Sequence, residues 1–393
     1  MNPQTDTRLF AASGALWNLG FRPLYLLAGT FAVIAMLWWI AQFAAGFGAK
    51  AYLQGPLWHA HEMIFGYAFA VVVGFLFTAV RNWTNAATPT GATLAAIVAL
   101  WLAGRAFGFT PWSIPAATAD IAFALAAAAG IGRPLLAAGN RRNYFFIVVL
   151  LGFGAANLAF HLGMSGIVDI PVQRGLQTGL NLVMFLIAVM GGRVIPMFTA
   201  NGIPGTHPLR QPWIERIALA GIVALIAADA LGAPDIAIAV TAAVAGLAHA
   251  ARLALWKPWA TIHKPIVWIL HASYAWIAVH LLLRALALLE FLPASAATHA
   301  LTVGAIGGLT LGMMTRTARG HTGLPLVTSR FETAAYVLVQ VGAIVRVFAP
   351  ITVPAWYMQS VVLSGLLWAA AFTLFTLKFW PILTRPRVDG REG

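Results

Sequence analysis

The sequence predicts an all-α integral membrane protein with about twelve transmembrane helices. Three observations predict it. Only 9% of the residues are charged and 61% are hydrophobic. A soluble globular chain carries about 25% charged residues, so most of this surface must face lipid. Apolar runs of the length that crosses a bilayer, about 20 residues, recur from one end of the chain to the other. Lys and Arg are sorted between alternate connections, as positive charge is in membrane proteins.

The runs fall at about 24–45, 58–80, 92–108, 113–131, 144–164, 175–198, 215–231, 235–255, 264–288, 297–317, 332–349 and 354–379. The third, seventh and eleventh are short or interrupted. The connections are short and rich in Pro and Gly, as at Thr88-Pro89-Thr90-Gly91 and Gly202-Ile203-Pro204-Gly205. None is long enough to hold a soluble domain, so residues 1–393 are expected to form a single polytopic transmembrane domain.

With twelve spans both termini share one side. Of the 24 Lys and Arg residues, only Lys50, Arg105, Arg174, Arg284 and Arg346 fall on the other side. The rest, from Arg8 to Arg391, collect with the termini, which predicts cytoplasmic N- and C-termini. Trp58, Trp83, Trp112, Trp213 and Trp259 stand near span ends, as an interfacial belt requires. The N-terminus, MNPQTDTRLFAAS, lacks a charged region followed at once by a short apolar core, so no cleaved signal peptide is expected.

A weak internal repeat is present. Gly191-Gly192 to Thr199 resembles Gly307-Gly308 to Thr315, and Gly74 to Thr78 matches more loosely. Arg105-Ala106-Phe107 and Arg346-Val347-Phe348 also correspond. The matches lie four spans apart and suggest three repeats of four helices, an organisation common in membrane proteins.

Composition also excludes function classes. Cysteine is absent, which rules out disulfides, thiolate metal sites, iron–sulfur clusters and covalently attached haem. Any metal must bind His, Met, carboxylate or backbone oxygen. The net charge of +13 is scattered between apolar runs, so it marks topology and not a nucleic-acid partner. No Walker loop, HExxH or Gly-rich dinucleotide fingerprint occurs.

Ionisable groups inside spans are costly and mark function by default. The densest set is Trp58-His59-Ala60-His61-Glu62-Met63 at the mouth of the second span. On a regular helix His59 and Glu62 share a face, and His61 points about 200° away from His59. Both imidazoles ligate one ion only if this helix start is irregular; two separate polar sites are the alternative. His161, one turn after Asn157, and His299 fall at the same expected depth. His59, His61, His161 and His299 are therefore candidate metal ligands, with Glu62 as the acid–base group. His249 and His271 lie at matching depth on adjacent helices, roughly 10 Å from the other face at 1.5 Å per residue. That placement suits two imidazoles facing one haem iron, or two buried histidines bonded to carbonyls. His280, on the helix of His271, serves a separate site or bonds to a neighbour. Arg193 and Arg316 suit an anion such as a haem propionate, or anchor the positive side. His321 belongs to the polar turn Arg319-Gly320-His321-Thr322-Gly323. Asp120 and Asp229 are paired groups or proton-path groups in apolar helices.

Four segments carry a family resemblance: WHAHEMIFGY (Trp58 to Tyr67), GGRVIPMFTANGI (Gly191 to Ile203), WILHASYAW (Trp268 to Trp276) and HALTVGAIGGLTLGMMTRTARGHTG (His299 to Gly323). On these the chain resembles the NnrS family of multi-spanning bacterial membrane proteins. The resemblance implies twelve helices, bound haem and copper, and a place in nitric oxide metabolism, nitrosative stress and denitrification. It implies the inner membrane as location. The positions that match are His59, His61, Glu62, Arg193, His271, His299, Arg316 and His321, with Asn157 and His161 fitting more loosely.

The expected function is a haem- and copper-containing protein that binds nitric oxide, as an oxidoreductase if it also turns the gas over. Nitric oxide reaches a site through lipid without a polar pore. In this reading Arg193, His271, Arg316 and His321 hold the haem. A secondary transporter of a small solute or anion is the alternative, and a membrane assembly or sensor protein a third.

Overall fold

A computed structural model describes residues 14–48 and 51–390. Residues 1–13, with Arg8, lie outside the described residues, as do Lys50 and Arg391. The described chain is helical, with no strand among the described residues.

Among the described residues twelve long helices follow one another: α1 (Phe21–Ala45), α2 (Gly55–Thr84), α3 (Gly91–Gly108), α4 (Ser113–Ala137), α5 (Phe145–Ser165), α6 (Val172–Gly202), α7 (Pro212–Leu231), α8 (Asp235–Leu255), α9 (Pro265–Leu288), α10 (Ala294–His321), α11 (Arg330–Thr352) and α12 (Tyr357–Leu383). Eleven are long and apolar enough to cross a bilayer. The twelfth, α7, has the length but carries Glu215, Arg216 and Asp229. The protein is thus a multi-pass membrane protein. Side chains such as Ile114, Val148, Leu231, Leu247 and Leu377 stay exposed, as a lipid-facing surface requires.

The ends obey ordinary capping chemistry. Pro sits in the first turn of α2, α7 and α9, where its missing N–H costs nothing. Gly46, Gly166 and Gly232 end α1, α5 and α7 with left-handed backbone. Ser329 and Glu332 form a capping box at the start of α11. The buried Arg22 donates from Nη1 to the carbonyls of Leu383 (2.9 Å) and Arg385 (2.8 Å), so one guanidinium closes the end of α12.

The second helix of each set of four is long: α2, α6 and α10 have 30, 31 and 28 residues. They run several residues past the ends of their apolar stretches. α2 and α10 also share an interruption. Glu62–Ala68 and Ala300–Gly307 are π-helical, each entered from a short α-helical start. Counted back from the matching Thr78 and Thr315, Glu62 aligns with His299, and the shared interruption falls there.

The chain forms two compact units. One holds residues up to Gly179, Met314–Leu326 and Thr373 onward; the other holds Leu180–Met313 and Val327–Phe372. In the first, α1 packs on α2, α3 and α4 form an antiparallel pair, and α4 packs on α2 and α5. In the second, α7, α8 and α9 pack in sequence, and α9 and α11 flank the π segment of α10.

Candidate metal centre

Unit one contains a buried ionic cluster drawn from four helices. α2 supplies His61 and Glu62, α3 supplies Arg105, α4 supplies Asp120, and α5 supplies Asn157 and His161. All are 5% exposed or less. Buried charges persist only when paired and hydrogen-bonded, and these are. Arg105 bridges the two carboxylates, with Nη1 2.5 Å from Glu62 Oε2 and Nη2 on Asp120 Oδ1. Asp120 Oδ2 lies 3.3 Å from Nε2 of His61 and 3.3 Å from Nε2 of His161. His61 Nδ1 contacts Glu62 Oε1 at 3.0 Å, and its Nε2 also meets Asn157 Oδ1 at 2.9 Å.

His61, and not His59, joins Glu62 in the cluster. On a regular helix Glu62 would share a face with His59. The helix changes type at Glu62, and the two neighbours His61 and Glu62 turn toward one cluster. His59 leaves it and stacks on Trp39, ring centres 4.6 Å apart. Two glycines let the elements close in. A Cβ on Gly104 would overlap the Asp120 carboxylate, and a Cβ on Gly66 would lie 2.6 Å from Arg105 Nη1.

His61, Asp120 and His161 each offer one ligand atom, and the three atoms lie within 4.8 Å of one another. This is two imidazoles and a carboxylate, a donor set suited to iron, copper or zinc. The surroundings fit a metal as well. Metal-binding histidines need a partner on their second nitrogen, and ligating carboxylates need one on their second oxygen. Here Glu62 takes His61 Nδ1, the Tyr52 hydroxyl faces His161 Nδ1 at 3.1 Å, and Arg105 holds Asp120 Oδ1. Tyr52, in the connection before α2, is pushed up to about 12 by its burial and then by the Asp120 carboxylate, so it stays a neutral hydroxyl. The charges agree too. Two carboxylates and one guanidinium leave one negative charge in the cluster, which a proton on an imidazole or a bound cation must balance.

The model of the NnrS protein family matches residues 15–387. The chain belongs to the NnrS family. Among curated proteins none matches it. The family match spans nearly the whole chain, and the cluster lies within it.

The remaining residues expected from the sequence fall elsewhere. Arg316 and His321 belong to unit one and are half-buried. The His321 ring lies 5.7 Å from that of Phe21, and its carbonyl accepts from Arg387 Nη1 at 3.0 Å. Arg193, His271 and His299 belong to unit two. Arg193 is half-buried on α6. His299, also half-buried, sets Nδ1 2.6 Å from the Ser295 carbonyl of its own helix. His271 gives Nε2 to Thr199 Oγ1 at 2.7 Å. His249 uses both nitrogens, one on the Tyr274 hydroxyl (2.7 Å) and one on the Ala218 carbonyl (3.2 Å). That leaves no lone pair on His249 for an iron shared with His271. Its neighbours are satisfied as well: Arg252 bonds Glu215 twice, at 2.9 and 2.5 Å, and also Tyr274 and the Ala188 carbonyl.

Sequence reasoning missed Arg105 as a site residue and read Asp120 as a paired or proton-path group, not as a metal ligand. A signal for both was present. Arg105 is an exception to the charge asymmetry, and Asp120 faces it across the short α3–α4 turn.

Proposed function

We propose that this NnrS-family protein holds a transition-metal ion at His61, Asp120 and His161 inside the membrane, and that the centre binds and reduces or detoxifies nitric oxide. The observation that carries the reading is the buried two-histidine, one-carboxylate set with all three far atoms already engaged. Copper, which the family resemblance implies, suits these donors. When bound, such an ion supplies an electrophilic site for the gas and a route for one electron.

The protein's own groups do the rest. Asp120 and the two imidazoles bring one ligand atom each within 4.8 Å of one another. Arg105 bridges and aligns both carboxylates. Glu62 fixes the His61 ring and can receive the Nδ1 proton along their 3.0 Å bond. The apolar helices around the cluster exclude bulk water and admit a small neutral gas from lipid. The inner membrane of a bacterium, with cytoplasmic termini, and haem as second cofactor complete the proposal.

The test is elemental analysis and electron paramagnetic resonance of the purified protein, with and without nitric oxide. The wild type is expected to hold one ion per chain, and His161→Ala to hold none. A wild-type protein that stays metal-free after incubation with copper, iron or zinc overturns the reading. Solute uptake by metal-free proteoliposomes would put a transporter in its place.

A further inference from the structure

Unit two holds a second polar cluster, and it stands where the repeat would put a counterpart of the first. On α9, His280 and Arg284 occupy the places, counted from the helix end, that Asn157 and His161 hold on α5. Asp229 near the end of α7 answers Arg105 near the end of α3, and Asn181 on the long α6 answers the α2 residues. Asp229 pairs through Oδ1 with Arg284 and accepts from Asn181 Nδ2 at 2.6 Å through Oδ2.

Two atoms in this cluster have no protein partner among the described residues: His280 Nε2 and Arg284 Nη1. His280 is only 2% exposed. Its Nδ1 lies 2.8 Å from the Ala297 carbonyl, an acceptor, so Nδ1 carries the proton. The lone pair is then on Nε2, the ring atom that projects furthest from the backbone. A histidine whose Nδ1–H is tied to a carbonyl and whose Nε2 is bare is prepared as a metal ligand. Burying a bare polar atom otherwise costs stability with no return.

The donor count then decides what kind of metal centre fits. Both Asp229 oxygens are taken, and no group of three His or carboxylate ligands forms here among the described residues. One imidazole does not hold a bare ion. The metal must bring its other ligands with it, as iron in a planar tetrapyrrole does. The free Arg284 Nη1, one turn along the same face, suits an acidic side group on such a ring.

Resting on the haem of the proposed function, we infer that His280 is its axial ligand, with Arg284 as the anchor for its carboxylate, at a site distinct from the His61–Asp120–His161 centre. His271 is the competing imidazole. Its bare atom is Nδ1, which sits beside its own Cβ and is hindered against a planar ring.

The experiment is titration of the purified full-length protein in detergent with ferric haem, followed by absorbance and electron paramagnetic resonance. The wild type is expected to give an imidazole-ligated spectrum at one haem per chain. His280→Ala should lose it, and added imidazole should restore it, which also shows that the variant is folded. Arg284→Gln should weaken haem binding about tenfold. His271→Ala and His161→Ala should leave the haem spectrum unchanged, and this separates the site from the metal centre proposed above. An unchanged spectrum in His280→Ala, a spectrum lost in His271→Ala, or His280-dependent retention of a bare ion without haem would overturn the inference.

Discussion

Asp120→Asn is the most informative single change. Asp120 is buried, with one oxygen on Arg105 and the other 3.3 Å from two imidazoles. Removing one partner of a buried ionic set costs about 3–5 kcal/mol, because the remaining charges are left uncompensated. Asparagine keeps the shape and can still accept from Arg105. Glu62 and Arg105 then balance each other with no further cation. The expected loss of stability is therefore at the low end, about 3 kcal/mol. Metal binding responds differently. The amide nitrogen, or a neutral carbonyl, faces the imidazoles in place of an anion, and the ligand set is broken. The assay is paired: thermal unfolding in detergent with excess chelator, and metal retention after dialysis. Asp389→Asn is the control, since Asp389 forms a partly exposed pair with Arg387 and such pairs contribute under about 1 kcal/mol. Full metal occupancy in Asp120→Asn, or equal unfolding of the two variants without metal, would refute the reasoning.

Other outcomes follow from the same geometry. Tyr52→Phe should fold normally and bind the metal about tenfold more weakly, measured by competition with a chelator of known affinity. Gly104→Ala should push Asp120 off Arg105 and lower stability by about 1–3 kcal/mol, as overpacking does. Gly66→Ala should act alike, and both should lose metal in the same dialysis assay. Arg252→Leu leaves Glu215 and Tyr274 without their shared donor, so unfolding should shift by about 3–5 kcal/mol while metal content stays at the wild-type level.

The fold was legible because the bilayer restricts the options. Twelve apolar runs can only be helices, and the structure extends several of them, α2, α6 and α10 most clearly. The histidines near the mouth of α2 were legible as a group, but not which of them points inward. Period-3.6 reasoning put His59 with Glu62, and in the structure His61 contacts Glu62 while His59 stacks on Trp39. No propensity in residues 62–68 announces a π-helix. Arg105 and Phe31 lie close against Gly66 from other helices, and such contacts are tertiary information. The charge asymmetry held more than topology. Arg105 and Arg284 look like exceptions to the positive-inside pattern because they are not loop residues. One holds Glu62 and Asp120, the other Asp229. Exceptions of this kind are where buried polar clusters can be sought.

A π turn contains a residue that an α turn does not. The stretch Glu62–Ala68 therefore acts as a phase shifter between two halves of one helix. Whereas deleting one residue would return the helix to α in the same phase, a return to α at full length would rotate Gly55–His61 by about 100° against the rest. Every ligand would still be encoded, yet His61 would face another direction. The centre is thus specified by the number of residues between its parts as much as by their identity, and substitution and deletion at the same position would carry very different consequences.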